Sequence, residues 1–176
     1  MSVRRASPSD AAALADVAGA TFALACPPST APEAIAAFVA EHLSEQRFAE
    51  HLADPARVLL VAEEAPGGPL TGYTMLVAGE PAYPAVAGAI SIRPTIELSK
   101  IYVRDDAHGR GTAAELMGAS LAVARDIGAV GIWLGTNGEN VRAQRFYAKH
   151  GFEAVGERHF RLGDRDEDDL VFERRL

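Results

Sequence analysis

Residues 108–113, His-Gly-Arg-Gly-Thr-Ala, set two glycines and an arginine directly ahead of an unbroken helical pattern. The chemistry open to such a segment is anion binding. The first N–H groups of a helix have no partner within it, and the helix dipole adds positive potential at that end. Glycine lets a phosphate approach the main chain without meeting a Cβ, and Arg110 adds a charged fork. The same two glycines would equally serve a plain tight turn, so the surrounding residues decide. A Walker A loop ends in Gly-Lys-Ser/Thr, and this loop has no lysine. A dinucleotide fingerprint is matched at Gly109, Gly111 and Ala114. That motif also asks for a carboxylate about 20 residues on, where Leu134-Gly-Thr-Asn has none, and too little chain follows for a doubly wound sheet.

A second set of residues lies at 140–152, Asn-Val-Arg-Ala-Gln-Arg-Phe-Tyr-Ala-Lys-His-Gly-Phe. The pattern predicts a helix over 139–151, ended by Gly151. Asn140 and Tyr147 are seven positions apart, close to two turns, so they share a face, and Ala143 between them keeps it shallow. A phenol with an ordinary pKa of about 10 stays protonated at neutral pH and can act as an acid. Tyr147 beside Phe146 also suits a core, and Asn140 also suits a helix N-cap, so each residue has two readings.

Together the two segments resemble the signature of the GNAT superfamily of N-acetyltransferases. Residues 108–113 are similar to its Arg/Gln-x-x-Gly-x-Gly/Ala loop for coenzyme A, with His108 where Arg or Gln is usual. Residues 140–152 are similar to its Asn-x-x-Ala-x-x-aromatic-Tyr-x-Lys-x-Gly-Phe helix. Residues 96–103, 132–152 and 156–176 look like the bacterial PaiA-type spermidine/spermine acetyltransferases. The resemblance implies an α/β (α+β) fold: one N-acetyltransferase domain over 1–176, with a mixed central sheet of six to seven strands splayed at an acetyl-CoA cleft and flanked by helices. It implies acetyl-CoA as cosubstrate and direct transfer, in a ternary complex, to a primary amine of a small molecule, a polyamine among the acceptors. It carries no metal, and homodimers are common in the family.

Residue by residue, the resemblance assigns the pyrophosphate to His108, Gly109, Arg110, Gly111, Thr112 and Ala113, and the pantetheine arm to Asn140. The main chain of Ile101, Tyr102 and Val103 would face the acetyl group from a bulged strand. Lys100, which interrupts the alternation there, agrees with a bulge. Tyr147 would protonate the departing sulfur. Glu97, six residues before Val103, would be the base, acting through water, although it reads equally as a half-exposed strand glutamate. A non-catalytic acetyl-CoA sensor is the competing class, and amino acids, peptides and antibiotics are competing acceptors; the presence of both Tyr147 and Glu97 favours catalysis. A polyamine would call on carboxylates such as Glu33, Glu41, Glu45, Glu80 and Asp105.

Other signals are set aside. His108, His150 and His159 read as surface or packing residues rather than as the base. Cys26 lies in a Cys-Pro-Pro loop, and direct transfer needs no nucleophile. Residues 164–169, Asp-Arg-Asp-Glu-Asp-Asp, resemble the start of a calcium loop. Asp169 and Arg175 stand where its Gly and Glu belong, so a solvated hairpin turn is expected.

The elements that must position these residues follow from periodicity: strands at 3–6, 57–64, 70–79, 95–103, 130–136, 153–161 and 170–174, and helices at about 10–20, 32–43, 45–52 and 139–151, with one more running on from the glycine loop within 104–129. Residues 80–94 read as a loose connection. At 176 residues the chain suits one core, and its net charge of −7 argues against a nucleic-acid surface. One cysteine rules out an internal disulfide, no apolar run reaches membrane length, and a cytoplasmic location is expected.

Overall fold

Residues Val58–Ala62, all apolar, and Leu70–Leu76, where Thr71 and Thr74 join apolar neighbours, are buried along their length, as strands covered on both faces require. The computed structural model describes the backbone of residues 1–162 and 165–176, and the side chains outside 160–167. In chain order the strands are β1 (Ser2–Arg5), β2 (Arg57–Glu63), β3 (Leu70–Ala78), β4 (Thr95–Val103), β5 (Gly131–Asn137), β6 (Glu153–Leu162) and β7 (Arg165–Arg175). The helices are α1 (Ala11–Ala25), α2 (Pro32–His42), α3 (Glu45–Ala53), α4 (Pro84–Ala89), α5 (Thr112–Asp126) and α6 (Val141–Lys149).

The strands form one seven-stranded sheet in the order β1-β2-β3-β4-β5-β7-β6. Every neighbouring pair is antiparallel except β4 and β5. One core lies between the sheet and the α5–α6 side, built on Leu60, Leu76, Ile96, Leu116 and Ile132. A second lies under α1–α3, built on Leu14, Phe48, Leu59, Tyr73 and Met75. Among the described residues, no helix is long and apolar enough to cross a membrane.

Two features of β4 create the site. First, its parallel pairing with β5 covers only Thr95–Gly131, Ile96–Ile132 and Glu97–Trp133. Beyond that point β4 stays with β3 as far as Val103 and β5 stays with β7 as far as Asn137, so the two halves of the sheet part. Second, β4 carries a bulge. Leu76 faces Leu98 and the next residue back, Met75, faces Lys100, so Ser99 is the extra residue. A one-residue slip exchanges the faces of a strand. Ile96 and Leu98 before the bulge, and Ile101 and Val103 after it, therefore all serve the α5 core. Glu97, Lys100 and Tyr102 all turn to the α1–α3 side. Without the bulge, Lys100 would enter the α5 core.

Several sequence expectations are corrected. The bulge lies at Ser99, ahead of Ile101–Val103. Helix α1 runs five residues past the expected end at Ala20, because Thr21 and Phe22 continue its buried face. The connection read as loose contains α4, whose Val86 and Ile90 pack on Trp133 and Val171. Strand β7 starts at Arg165, so most of the stretch read as a polar turn is extended, and Asp164 lies outside the described residues.

At the entry to α1, Asp10 collects Ser7 N–H at 2.6 Å and both ends of the Arg4 guanidinium at 2.8 and 2.9 Å, while Arg4 also donates to Glu63 at 2.7 Å. Arg4 holds the Asp10 carboxyl well below its ordinary range. A depressed carboxylate stabilises the fold above its unfolded pKa of 3.8 and loses that contribution as pH falls through the folded value. Asp10→Ala is expected to cost about 1–3 kcal/mol at neutral pH in thermal or urea unfolding. The gap to the wild type should narrow as pH falls toward about 2.

Candidate active site

Where β4 and β5 part, a cavity of about 490 Å³ is lined from both faces of the sheet. The strand walls are Leu98–Val103 on one side and Gly135–Asn137 on the other. From the α5–α6 side come His108, Ala113, Asn140, Ala143, Phe146 and Tyr147.

The register of β3 and β4 identifies which backbone groups face the gap. Arg104 N donates to Thr71 O at 2.8 Å, which makes 104 and 71 a hydrogen-bonded pair. Antiparallel alternation then directs Tyr102 toward β3 and turns the N–H and C=O of Ile101 and Val103 the other way. Those groups have no β5 partner at that level. The Val103 carbonyl accepts from His108 Nε2 at 2.9 Å, while His108 Nδ1 pairs with Asp105 at 2.9 Å. His108 thus ties the loop to the end of β4. Of the three strand residues assigned to the cofactor, Tyr102 gives its backbone to β3 and lines the cavity with its ring.

The loop before α5 has the form of an anion cradle. Gly109 and Gly111 sit at φ 77° and 84°, a backbone region that strains other residues, and Gly111 is the N-cap of α5 with no side chain capping the helix. Among the described residues, no acceptor takes the N–H groups of residues 109–114. Arg110 is exposed and meets Glu64 at 3.0 Å, whereas the Thr112 side chain is buried. On α6, Asn140, Ala143, Phe146 and Tyr147 present a common face to the cavity. Asn140 accepts from Ala143 N at 3.0 Å, so it caps the helix while lining the site. The Tyr147 ring is wedged against Phe146, Phe152 and Phe172, and burial raises its pKa well above 10.

The opposite half is lined by Phe22, Leu24, Cys26 and Phe38 together with Arg57, Tyr83, Glu97, Lys100, Arg158 and Asp169. Arg158, from β6, is the organiser. Its Nη2 and Nε meet Asp169 at 3.1 and 3.2 Å, its Nη1 approaches Glu97 at 3.9 Å, and its guanidinium covers the Tyr83 and Trp133 rings. Gly135 makes room for it: a Cβ there would fall 2.6 Å from the guanidinium carbon. Burial pushes the Glu97 pKa up, with Arg158 opposing. Burial pushes the Lys100 pKa down, with Glu97 opposing.

Of the sequence candidates, Glu97, Ile101, Tyr102, Val103, His108, Ala113, Asn140 and Tyr147 meet at one cavity. The carboxylates Glu33, Glu41, Glu45, Glu80 and Asp105 are exposed, and none lines it. His150, bonded to the Phe146 carbonyl at 2.8 Å, and His159, paired with Asp168, also lie outside the lining. Cys26 is in the wall, its thiol donating to Phe22 O at 3.4 Å. Sequence reasoning missed Arg57, Lys100, Arg158 and Asp169. Lys100 was visible as the break in an apolar strand, whereas the other three come from β2 and the β6–β7 hairpin.

A sheet parted at a parallel pair, an N-terminal cradle and a tyrosine helix define an acyl-CoA-type transferase cleft. The model of the acetyltransferase (GNAT) family matches residues 24–152, and the chain belongs to that family, whose donor is acetyl-CoA. The free N–H groups of the loop and the phosphate-sized approach left by its glycines fit that donor. An uncharacterized N-acetyltransferase of Mycobacterium tuberculosis (strain H37Rv) is 49% identical over 167 residues, 95% of this chain and 98% of that protein. One from Lactobacillus delbrueckii subsp. lactis is 26% identical over 157 residues, 89% of this chain and 86% of that one. The fold is similar to the PaiA N-acetyltransferase of Thermoplasma acidophilum crystallised with coenzyme A, with a TM-score of 0.77, 18% identity, and 99% and 98% of the two chains covered.

Gly135→Ala would force Arg158 off its seat between Asp169 and Glu97. It is expected to raise KM for the amine severalfold while KM for acetyl-CoA stays within about twofold, measured by steady-state kinetics with each substrate varied in turn.

Proposed function

We propose that this N-acetyltransferase moves the acetyl group of acetyl-CoA directly onto a primary amine of a small molecule, with Tyr147 as acid and Glu97 as base. The observation that carries the reading is the gap itself: the N–H groups of Ile101 and Val103 turn into a cavity that Tyr147 lines from one side of the sheet and Glu97 from the other. Acetyl-CoA supplies an acetyl group already activated as a thioester. The loop of residues 108–113 takes its pyrophosphate and Asn140 its amide arm.

The amine must be neutral to attack. Glu97, its pKa raised by burial, is a stronger base than an exposed glutamate and takes the amine proton through water. As the C–N bond forms and the C–S bond breaks, negative charge builds on the carbonyl oxygen and then on sulfur. The Ile101 and Val103 N–H groups face the first. The Tyr147 phenol, kept protonated by its buried setting, delivers a proton to the second and recovers one from solvent.

A thiol-release assay with acetyl-CoA against polyamines, amino acids, dipeptides and aminoglycosides tests the reading. Release with one class establishes transfer. No release with any amine, with acetyl-CoA still raising the melting temperature, would point to a sensor instead. In the active case, Tyr147→Phe should lower kcat by about 10²-fold with little change in KM. The wild-type kcat/KM should fall on acidification, as Glu97 takes up a proton, with a midpoint above the ordinary 4.5. Glu97→Gln should remove that acid limb along with most of the rate.

A further inference from the structure

We infer that the acceptor is a primary amine that also carries an anionic group a few bonds away, with the anion on Lys100 and Arg57 and the amine toward Glu97. This deepens the N-acetyltransferase reading of the same cavity and rests on it.

The acceptor wall holds more basic groups than acidic ones. Arg57, Lys100 and Arg158 face two carboxylates, Glu97 and Asp169. Arg158 is already matched, held by Asp169 and near Glu97. Arg57 pairs through Nε with Asp54 at 2.9 Å, and its Nη1 extends over Met75 to within 3.7 Å of the sulfur. Arg57 starts opposite Val77, level with Glu97, and its reach along the strand to Met75, the register partner of Lys100, carries its guanidinium toward Lys100 on one face of the sheet. Lys100 itself has no hydrogen bond or ion pair among the described residues. Burial and the charges of Arg57 and Arg158 all disfavour its ammonium form, and only Glu97 supports it. A half-buried cation facing a cavity and flanked by like charge is satisfied by an anionic ligand.

A polycation would meet the opposite situation. The five surface carboxylates Glu33, Glu41, Glu45, Glu80 and Asp105 lie outside the cavity, and the Lys100 amino group, unpaired among the described residues, lies inside it. Spacing sets the size of the acceptor. Glu97 and Lys100 stand opposite Val77 and Met75, two residues apart along β3, or about 7 Å. That span suits an amino acid or an aminoalkyl phosphonate, the two sources of one shared chemistry. Phe22, Leu24, Phe38 and Tyr83 would take an apolar substituent.

Matched pairs test the inference: leucine against leucinamide, an aminoalkyl phosphonate against the plain alkylamine, and spermidine, each with the wild type and Lys100→Met. Methionine matches the lysine stem as far as Cε and removes a buried amino group that has no partner among the described residues, so the variant should melt no lower than the wild type. The wild type is expected to favour the anionic member of a pair by about tenfold or more in kcat/KM, mostly through KM, and that ratio should collapse toward one in the variant. The amide's less basic amine is more often neutral, so a preference for leucine would not come from amine protonation. Whichever anion gives the larger ratio identifies the source. Preference for spermidine or leucinamide, or a ratio unchanged in Lys100→Met, overturns the inference while leaving acetyl transfer standing. If no amine is turned over, melting with coenzyme A plus N-acetylleucine or N-acetylleucinamide decides. Stabilisation by the carboxylate alone supports the anion site although the transferase reading has failed, and equal or absent stabilisation overturns both.

Discussion

The site depends on a hydrogen-bonded ladder that stops early. β4 and β5 share three register pairs and then separate, while each keeps its antiparallel partner on the far side. Backbone polar groups seldom go unpaired inside a protein, so a parted sheet requires a use for the groups it leaves. The Val103 carbonyl is answered by His108, and the Ile101 and Val103 N–H groups point at a cavity rather than at protein. A rigid main chain, held in line by β3, therefore leaves fixed dipoles at the gap, which the proposed transfer would use to receive a carbonyl.

The bulge at Ser99 makes the second half of the site. It lets one strand serve two ends: Ile96, Leu98, Ile101 and Val103 remain in the α5 core, while Glu97, Lys100 and Tyr102 share the opposite face. A glutamate and a lysine are thereby drawn into a partly buried cavity, where burial raises the pKa of the first and lowers that of the second and each opposes the other's shift. Arg158 reaches the same place from β6 because Gly135 leaves space above β5. Three strands and a hairpin thus converge on a few charged groups, and their separation from water makes each charge count for more than it would on the surface.

Much of this was legible along the chain. Local rules carried the strands of apolar runs, the glycine loop before α5 and the single face of α6 bearing Asn140, Ala143 and Tyr147, because those features follow from backbone sterics and a 3.6-residue period. The same rules erred where tertiary packing intervened. The Pro84–Ala89 helix is short and depends on burying Val86 and Ile90 against Trp133 and Val171, residues far away in sequence. The stretch from Arg165 is acidic enough to read as a turn, yet it pairs with β6 along its length and, from Asp169 on, with β5 as well.

Sequence by itself determined that this chain would fold around a mixed sheet and place a glycine loop at the start of a helix, since spacing and residue type express those constraints locally. Only the tertiary structure decided which charges share the cavity. Glu33, Glu41, Glu45, Glu80 and Asp105 were as visible as Asp169, but they fall on exposed helix faces and beyond strand ends, while strand register and a one-residue bulge brought Lys100 to the cavity that Arg57, Arg158 and Asp169 also line. A side chain's direction depends on pairing partners scores of residues away, and local sequence does not record that distance.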